Sequence, residues 1–212
     1  MIYREYNFES YNFEKILMSM FSIKKLDHIH ESLTEKYKKF EVDTDQNSEL
    51  HKIFYSNMKK DFVNEYEKFI KQEVLTLYDC EILFQKFPTF RVSLPGNVAV
   101  GGYHKDSDYN HSKAEVNYFL PFTKSFDTNT IWYEKEKDKY FPMECEKGQF
   151  VEWDGANTMH GNKTNDTTLS RVSIDFRIIR YDDYLKSKNK KSSITNNVKF
   201  DIGNYWKRIH GN

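Results

Sequence analysis

Three residues of this sequence have the types and the spacing of a metal site. His104 and Asp106 lie two positions apart in GGYHKDSDYNH, residues 101–111. Alternate residues of an extended chain point to the same side, so an imidazole and a carboxylate at this spacing can occupy two adjacent positions on one ion. His160, in TMHGN, follows another predicted strand and can supply a third ligand. Two histidines and one carboxylate form the facial ligand set of non-haem Fe(II) oxygenases, which leaves positions for a cosubstrate and O₂.

A predicted strand downstream carries a candidate anion site. In RVSIDFRI, residues 171–178, polar and apolar side chains alternate, which places Arg171, Ser173, Asp175 and Arg177 on one face. An arginine fork binds a carboxylate through two hydrogen bonds, and a serine two positions on can reach the same oxygens. Arg171 and Ser173 are therefore candidates for the far carboxylate of 2-oxoglutarate, whose keto acid end would chelate the iron. Each pattern alone also fits a solvated loop or an exposed strand face, and their combination favours the iron site.

The elements that must position these residues change type along the chain. In residues 1–80 apolar side chains recur at helical spacing, most clearly in DFVNEYEKFIKQEVLTLY, which predicts a helical N-terminal part. Residues 81–184 contain short β-rich runs separated by Gly, Pro, Asn and Asp, with no room for crossover helices. The predicted fold is therefore mainly β, an antiparallel sandwich, jelly roll or barrel with the helices packed outside. Residues 185–212 are predicted to form a polar linker, KSKNKKSSITNN, and a tail, VKFDIGNYWKRI, that docks on the same single domain.

Composition and charge exclude several classes of protein. The sequence has 32 basic residues (Lys and Arg) and 32 acidic residues (Asp and Glu), so its net charge is zero. The excess of basic residues typical of a nucleic-acid-binding protein is missing. No stretch approaches the roughly 18 apolar residues of a membrane span, and the N-terminus lacks the apolar region of a signal peptide. We expect a cytoplasmic protein without nucleic-acid or membrane partners. Cys80 and Cys145 form no disulfide or metal motif, and His28 and His30 are interpreted as solvated histidines on different faces of a helix.

Several motifs of the sequence, taken together, resemble those of a known family. The string LPGNVAVGGYHKDSDYNHSKAEVNYFLPFT, followed by TNTIWYE, GQFVEWDG, MHGN and RVSIDFRI, resembles the small Fe(II)- and 2-oxoglutarate-dependent oxygenases of the streptomycin-biosynthesis StrG type, over residues 88–181. The resemblance implies a double-stranded β-helix, that is, a cupin-like jelly roll. It implies hydroxylation coupled to decarboxylation of 2-oxoglutarate by O₂. The residues implied are His104, Asp106 and His160 for Fe(II), Arg171 and Ser173 for 2-oxoglutarate, and Asn117 and Thr130 as further cofactor-binding residues.

The substrate is indicated only by the residues around the predicted mouth of the site. These residues combine hydrogen-bonding groups with flat aromatic rings, and they are Arg91, Tyr103, Asp108, Tyr109, Trp132 and Trp153. Such a lining suits a small polar substrate, for example a sugar, a nucleotide sugar or an amino-acid derivative, although tryptophans in the core and polar groups in water are the alternative.

Three alternative functions are consistent with parts of the pattern. The first is a metal-binding cupin that works as an isomerase or binding protein without 2-oxoglutarate. The second is a nucleic-acid dealkylase, because Arg171 and Arg177 have the Arg-x₅-Arg spacing of that group. The third is a scaffold without catalytic activity, whose polar residues are solvated.

Overall fold

Two antiparallel β-sheets form the body of the protein. The computed structural model describes residues 1–33, 48–58, 60–99, 102–187, 192 and 198–210. Within these ranges the strands are β1 (Ile2–Glu5), β2 (Ile82–Gln85), β3 (Thr89–Ser93), β4 (Val116–Pro121), β5 (Ile131–Glu136), β6 (Lys139–Pro142), β7 (Gln149–Trp153), β8 (His160–Asn162), β9 (Arg171–Arg180) and β10 (Trp206–Ile209). The larger sheet has the order β1–β7–β4–β9–β2–β10, with β3 also paired to β9, and the smaller has the order β6–β5–β8. All pairings between these strands are antiparallel, which confirms the predicted antiparallel, mainly β class.

Most of the helices lie between β1 and β2 in the chain. They are α1 (Phe13–Phe21), α2 (Glu49–Asn57) and α3 (Lys60–Phe69), while α4 (Tyr181–Lys186) follows β9. The chain continues from α3 through a π-helical turn, Ile70–Val74, and a 3₁₀ turn, Leu75–Leu77. Short 3₁₀ turns also occur at Phe8–Ser10, Leu26–Ser32, Asp106–Tyr109 and Asp127–Asn129. The helical spacing of the N-terminal sequence therefore does produce helices, and no helix of the described ranges is long and apolar enough to span a bilayer.

The N-terminal helices cover one face of the larger sheet. Val172, Ile174 and Phe176 of β9 share one apolar core with Phe62 and Phe69 of α3. Alternate residues of a strand point to opposite faces, so the polar residues of β9 must face the other way. There the larger sheet faces the smaller one, across a second apolar cluster to which β4, β5 and β7 contribute. The candidate site lies on this inner side.

Several elements differ from the sequence predictions. Strand β1, which pairs with β7, was not predicted, because its four residues are mostly exposed and show no apolar alternation. Helix α4 was not predicted either, since its sequence, YDDYLK, is short and polar. The tail docks through β10, which pairs with β2, although Ile202 is 42% exposed. Two predictions fall largely or partly outside the described residues. They are the polar linker, most of which is not described, and the end of the helix predicted after residue 25.

Candidate metal and cosubstrate site

One pocket between the two sheets collects most of the residues singled out in the sequence. The large sheet contributes side chains from β3, β4, β7 and β9, and the small sheet contributes β5 and β8. The lining consists of Arg91, His104, Asp106, Asn117, Tyr118, Ile131, Trp153, His160, Gly161, Asn162, Arg171, Asp175 and Arg177. Charged and amide side chains predominate over apolar ones, so the pocket suits a polar ligand.

The two histidines are brought together by a backbone bridge. The amide N of His104 donates to the carbonyl of His160 and the reverse bond is also made, each at 2.9 Å. The imidazole centroids are consequently 4.5 Å apart. Lys105 is extended, with φ −109° and ψ 143°, so Asp106 lies on the same side of the chain as His104. The sequence-predicted triad therefore converges, and its donor atoms lie within 4.8 Å of one another.

The Asp106 carboxylate lies close enough to each histidine for one metal ion to bind both groups. Asp106 Oδ1 lies 3.7 Å from Nε2 of His104 and 3.7 Å from Nε2 of His160. Atoms that bind one first-row ion at about 2.1 Å lie at most about 4.2 Å apart. Both distances from Asp106 satisfy this limit.

The histidine tautomers suit metal binding. Nδ1 of His104 lies 3.1 Å from the carbonyl of Gly102, and Nδ1 of His160 lies 2.9 Å from that of Thr158. A carbonyl only accepts, so each Nδ1 carries a proton, and Nε2 is the nitrogen that presents a lone pair in the neutral imidazole. Burial lowers the pKa of His160 below its ordinary value, although the charge of Asp106 acts in the opposite direction. The lowered pKa favours the neutral imidazole.

The two oxygens of Asp106 have different partners. Oδ2 accepts from Asn117 Nδ2 at 2.6 Å, and from Nε and Nη2 of Arg177 at 3.0 and 2.7 Å. Oδ1 is left facing the histidines. Burial by itself would raise the pKa of Asp106, but the Arg177 charge, with help from His104, holds that pKa well below its ordinary range. Asp106 is thus a charged, oriented carboxylate with one oxygen available.

Arg171 is a buried cation that faces the same pocket, where the nearby charge of Asp175 favours its charged form. It is 1% exposed, and its Nη1 donates to Ser173 Oγ at 3.1 Å, while its Nε has no hydrogen-bond partner among the residues that the structure describes. No carboxylate of the described ranges forms an ion pair with it. Burial lowers the pKa of Arg171 to about 10, so the group remains charged at neutral pH. Since an unpaired buried charge is costly, the arrangement favours an anionic ligand.

The remaining cofactor candidates occupy different positions. Asn117 lines the pocket and donates to Asp106, and no described residue donates to its Oδ1. Thr130 is buried outside the lining, where its hydroxyl donates to the Met143 carbonyl and accepts from Ser125, both at 2.6 Å. Its backbone carbonyl accepts from Asn162, a pocket residue, at 2.9 Å.

Some of the substrate candidates lie at the pocket and others do not. Arg91 lines it and pairs with Asp175 at 3.2 Å, and the Trp153 ring meets the His160 ring edge-on at 4.7 Å. Tyr103, which is 40% exposed, packs against Gly161 at the rim.

Three further aromatic or acidic candidates have local partners. The Tyr109 ring lies 5.0 Å from that of His104. Asp108 caps its own 3₁₀ turn by accepting from the Lys105 amide at 3.0 Å. Trp132 lies away from the lining, donates to the Asp127 carbonyl at 3.1 Å and has Lys163 Nζ 3.2 Å from its ring centre. Asp108 and Trp132 are therefore not brought to the pocket with the others.

Sequence reasoning missed the contact between Arg177 and Asp106. The alternation of β9 placed Arg177 on the pocket face, but its partner is 71 positions away in the chain. Asn162 and Ile131, also in the lining, were missed as well. Strand alternation identifies the face of a side chain but carries no information about which distant residue it meets.

His28 and His30 lie outside this site, and the prediction that they point to different faces of a helix was wrong. His28 and His30 share a face, with ring centroids 5.9 Å apart, because the segment is a 3₁₀ turn kinked at His28. Their Nδ1 atoms lie 2.8 Å from Glu31 Oε1 and 2.7 Å from Ser170 Oγ, respectively.

The comparisons with known proteins agree with the motifs. Over 167 residues the chain is 37% identical to the streptomycin biosynthesis protein StrG of Streptomyces griseus, with 79% of each chain covered. No family model matches the sequence.

Similar solved structures have much lower identity. The apo form of the non-heme monooxygenase ThoJ has a TM-score of 0.48 at 11% identity, covering 83% of this chain and 71% of that one. The nickel complex of ThoJ has a TM-score of 0.42 at 12% identity, and the match spans 63% of this chain and only 54% of that one. AviO1 from Streptomyces viridochromogenes Tue57 has a TM-score of 0.41 at 10% identity, covering 80% and 85%. The sequence identity to StrG, extending over four-fifths of both proteins, shows that the chain belongs to the StrG family.

Proposed function

We propose that the protein is an Fe(II)- and 2-oxoglutarate-dependent dioxygenase that hydroxylates a small polar metabolite in a biosynthetic pathway. The observation that carries the proposal is the buried guanidinium of Arg171, which lacks an ion-pair partner among the described residues and shares a pocket with three convergent metal ligands. A metal triad alone would suit many metalloproteins. A triad with a buried, unpaired arginine suits a cosubstrate that has a chelating end and a distant carboxylate.

The triad would hold Fe(II) through His104 Nε2, Asp106 Oδ1 and His160 Nε2. Two neutral nitrogens and one carboxylate oxygen are the ligand set that non-haem Fe(II) oxygenases use, and they leave coordination positions open. Asn117 and Arg177 would keep Asp106 oriented, because they bind the oxygen that does not face the histidines.

Arg171 and Ser173 would bind the far carboxylate of 2-oxoglutarate. Arg171 Nε is a buried donor without a partner in the described part of the chain, and the guanidinium matches a carboxylate in both charge and shape. With Fe(II) and O₂ bound, 2-oxoglutarate would be oxidised to succinate and CO₂, one oxygen atom entering succinate and the other a substrate C–H bond. Ile131 and Trp153 would limit the access of water to the pocket.

The lining supports a polar substrate. Arg91, Asp175 and Asn162 offer charged and amide groups, and the Tyr103 ring is exposed at the rim. Rings beside hydrogen-bonding groups suit a sugar, a nucleotide sugar or an amino-acid derivative. The relative from S. griseus is named for streptomycin biosynthesis, which supports a biosynthetic role for this chain.

The fold expected for this chemistry is a double-stranded β-helix, and we propose that the two sheets form one. The antiparallel pairing of every strand and the position of the triad between the sheets support this assignment.

The proposal is tested by succinate formation under air with Fe(II), 2-oxoglutarate and a panel of polar metabolites. We expect iron-dependent succinate from the wild-type protein, and none above background from His160→Ala. His28→Ala is the matched control, because that histidine pairs with Glu31 outside the pocket, and it should retain the wild-type rate. Unchanged thermal unfolding of His160→Ala would show that its fold is intact. Iron-dependent succinate from His160→Ala at the wild-type rate would contradict the proposal.

A further inference from the structure

The C-terminal segment, residues 198–210, returns to the edge of the larger sheet beside the candidate site. Strand β10 pairs with β2, with Trp206 opposite Gln85. Trp206 is 1% exposed and packs with Leu83 and Ile179. The carbonyl of Tyr205 accepts from the Lys86 amide at 2.7 Å. The backbone at Tyr205 is therefore fixed on both sides of the residue.

The Tyr205 hydroxyl contacts the arginine that binds Asp106. Nη1 of Arg177 lies 3.3 Å from Tyr205 Oη and 3.5 Å from Gln85 Oε1. The other two nitrogens of Arg177 both donate to Asp106 Oδ2. A guanidinium is planar and rigid, so a partner for its third nitrogen restricts the direction in which the other two point.

A second set of contacts joins the tail to the same arginine. Phe200, which is 3% exposed, packs against the Tyr205 ring with centroids 4.9 Å apart and against the His111 ring at 4.5 Å. Nδ1 of His111 lies 2.7 Å from Glu115 Oε2, which lies 3.8 Å from Arg177 Nε. The tail thus contacts Arg177 through Tyr205, and Phe200 packs against Tyr205 and against the His111 that pairs with Glu115.

From these contacts we infer that the C-terminal segment helps to orient a ligand of the metal site, and that Tyr205 is the positioning residue in this segment. Tyr205 restricts Arg177, and Arg177 in turn holds Asp106 with Oδ1 directed at the two histidines. The inference rests on the proposed metal site, and it assigns a role to a segment that carries none of the motifs. Partners that orient a metal ligand typically contribute 10- to 100-fold in affinity, and Tyr205 acts one contact further out, so we expect about a three- to tenfold effect.

The test is a double-mutant cycle in the full-length chain, with Co(II) as a spectroscopic probe. Tyr205→Phe keeps the ring and its packing against Phe200 but removes the hydroxyl, and Arg177→Met removes the intermediary. The measurements are the Co(II) dissociation constant, the visible d–d absorption of the bound ion, and thermal unfolding. Lys207→Ala is the matched control, since it removes a surface ion pair with Glu67 from the same strand.

If Tyr205 acts through Arg177, Tyr205→Phe weakens Co(II) binding and shifts the absorption, whereas in the Arg177→Met background it has no further effect. Lys207→Ala matches the wild-type protein. Equal weakening by Tyr205→Phe in both backgrounds, or wild-type affinity and absorption in Tyr205→Phe, overturns the role of Tyr205 while leaving the metal site intact. Failure of the wild-type protein to bind Co(II) overturns the proposed function as well as this inference.

Discussion

In the proposed metal site, Asp106 is oriented by Asn117 and Arg177, which both donate to its second oxygen. The backbone packs tightly around one of these partners. A Cβ added at Gly155 would lie 2.7 Å from Asn117 Cγ and 2.7 Å from Asn117 Nδ2, closer than side-chain contacts normally approach. The same glycine accepts the Asp106 amide at 3.0 Å through its carbonyl. A residue with a side chain at position 155 would therefore displace the Asn117 amide, which explains the need for glycine there.

We expect Gly155→Ala to weaken metal binding by displacing the Asn117 amide from Asp106. The loss should be about 10-fold, the lower end of the range for residues that orient a metal ligand. Isothermal titration with Co(II) measures it. In an Asn117→Ala background the added methyl group has room, so Gly155→Ala should cause little further loss there. Undiminished Co(II) affinity in Gly155→Ala with Asn117 retained would show that the amide contact is dispensable.

Among individual residues, the sequence predicted those whose chemistry is local in the chain. The two-residue spacing of His104 and Asp106 produced the expected common orientation, because Lys105 is extended. His160 could be anticipated only as a histidine after a later strand. Arg177 and Tyr205 could not be assigned roles, since their contacts depend on which strands become neighbours.

At the scale of secondary-structure elements, helix α2 is attached to strand β3 through a buried histidine. His51 is 6% exposed, its Nδ1 lies 2.6 Å from Ser48 Oγ, and its ring meets Phe90 edge-on at 5.5 Å. Burial, and then the nearby charge of Arg91, lower the pKa of His51 from 6.5 to about 4. His51 is therefore mostly neutral in the folded protein at pH 5 and above.

This junction predicts a loss of stability in mild acid. Because the folded-state pKa is lowered, the contribution of His51 is fully present above the unfolded pKa and is lost as the pH falls from 6.5 towards 4. Between pH 7 and pH 5 the free energy of unfolding should fall by about 2 kcal/mol more in the wild-type protein than in His51→Gln. Urea unfolding at both pH values measures the difference. Parallel pH profiles for the two proteins would be incompatible with a buried neutral His51.

The elements with strong periodicity were the ones that the sequence predicted. Strand β9 alternates over its length, with Val172, Ile174 and Phe176 towards the helices, and α3 presents Phe62 and Phe69 to them. The elements that were missed, β1 and α4, are short and have few buried residues. Their positions are determined by the neighbours they pair with, which local pattern does not reveal.

At the scale of the whole molecule, the pocket depends on residues spread from Arg91 to Arg177. The sequence could predict an antiparallel β body with helices outside, because connection lengths and periodicity are local properties. It could not predict the order of the strands, and hence could not show that Asp175 would lie beside Arg91 or that Arg171 would lack an ion-pair partner within the described residues. The resemblance to the StrG family supplied the combination of motifs, and the fold brings most of the candidate side chains, but not Asp108, Thr130 or Trp132, to one pocket.

The proposed function requires that this one pocket bind both Fe(II), at the triad, and the far carboxylate of 2-oxoglutarate, at Arg171. It is tested most directly by titrating 2-oxoglutarate into the Fe(II)-loaded protein under argon and following the visible charge-transfer band that chelation produces. We expect a saturable band in the wild-type protein. In Arg171→Lys the same band should require about 10- to 100-fold more 2-oxoglutarate, because lysine keeps the charge but loses the paired hydrogen bonds, with Fe(II) affinity unchanged. A wild-type protein without the band, or an Arg171→Lys variant that saturates at the wild-type concentration, would contradict the account.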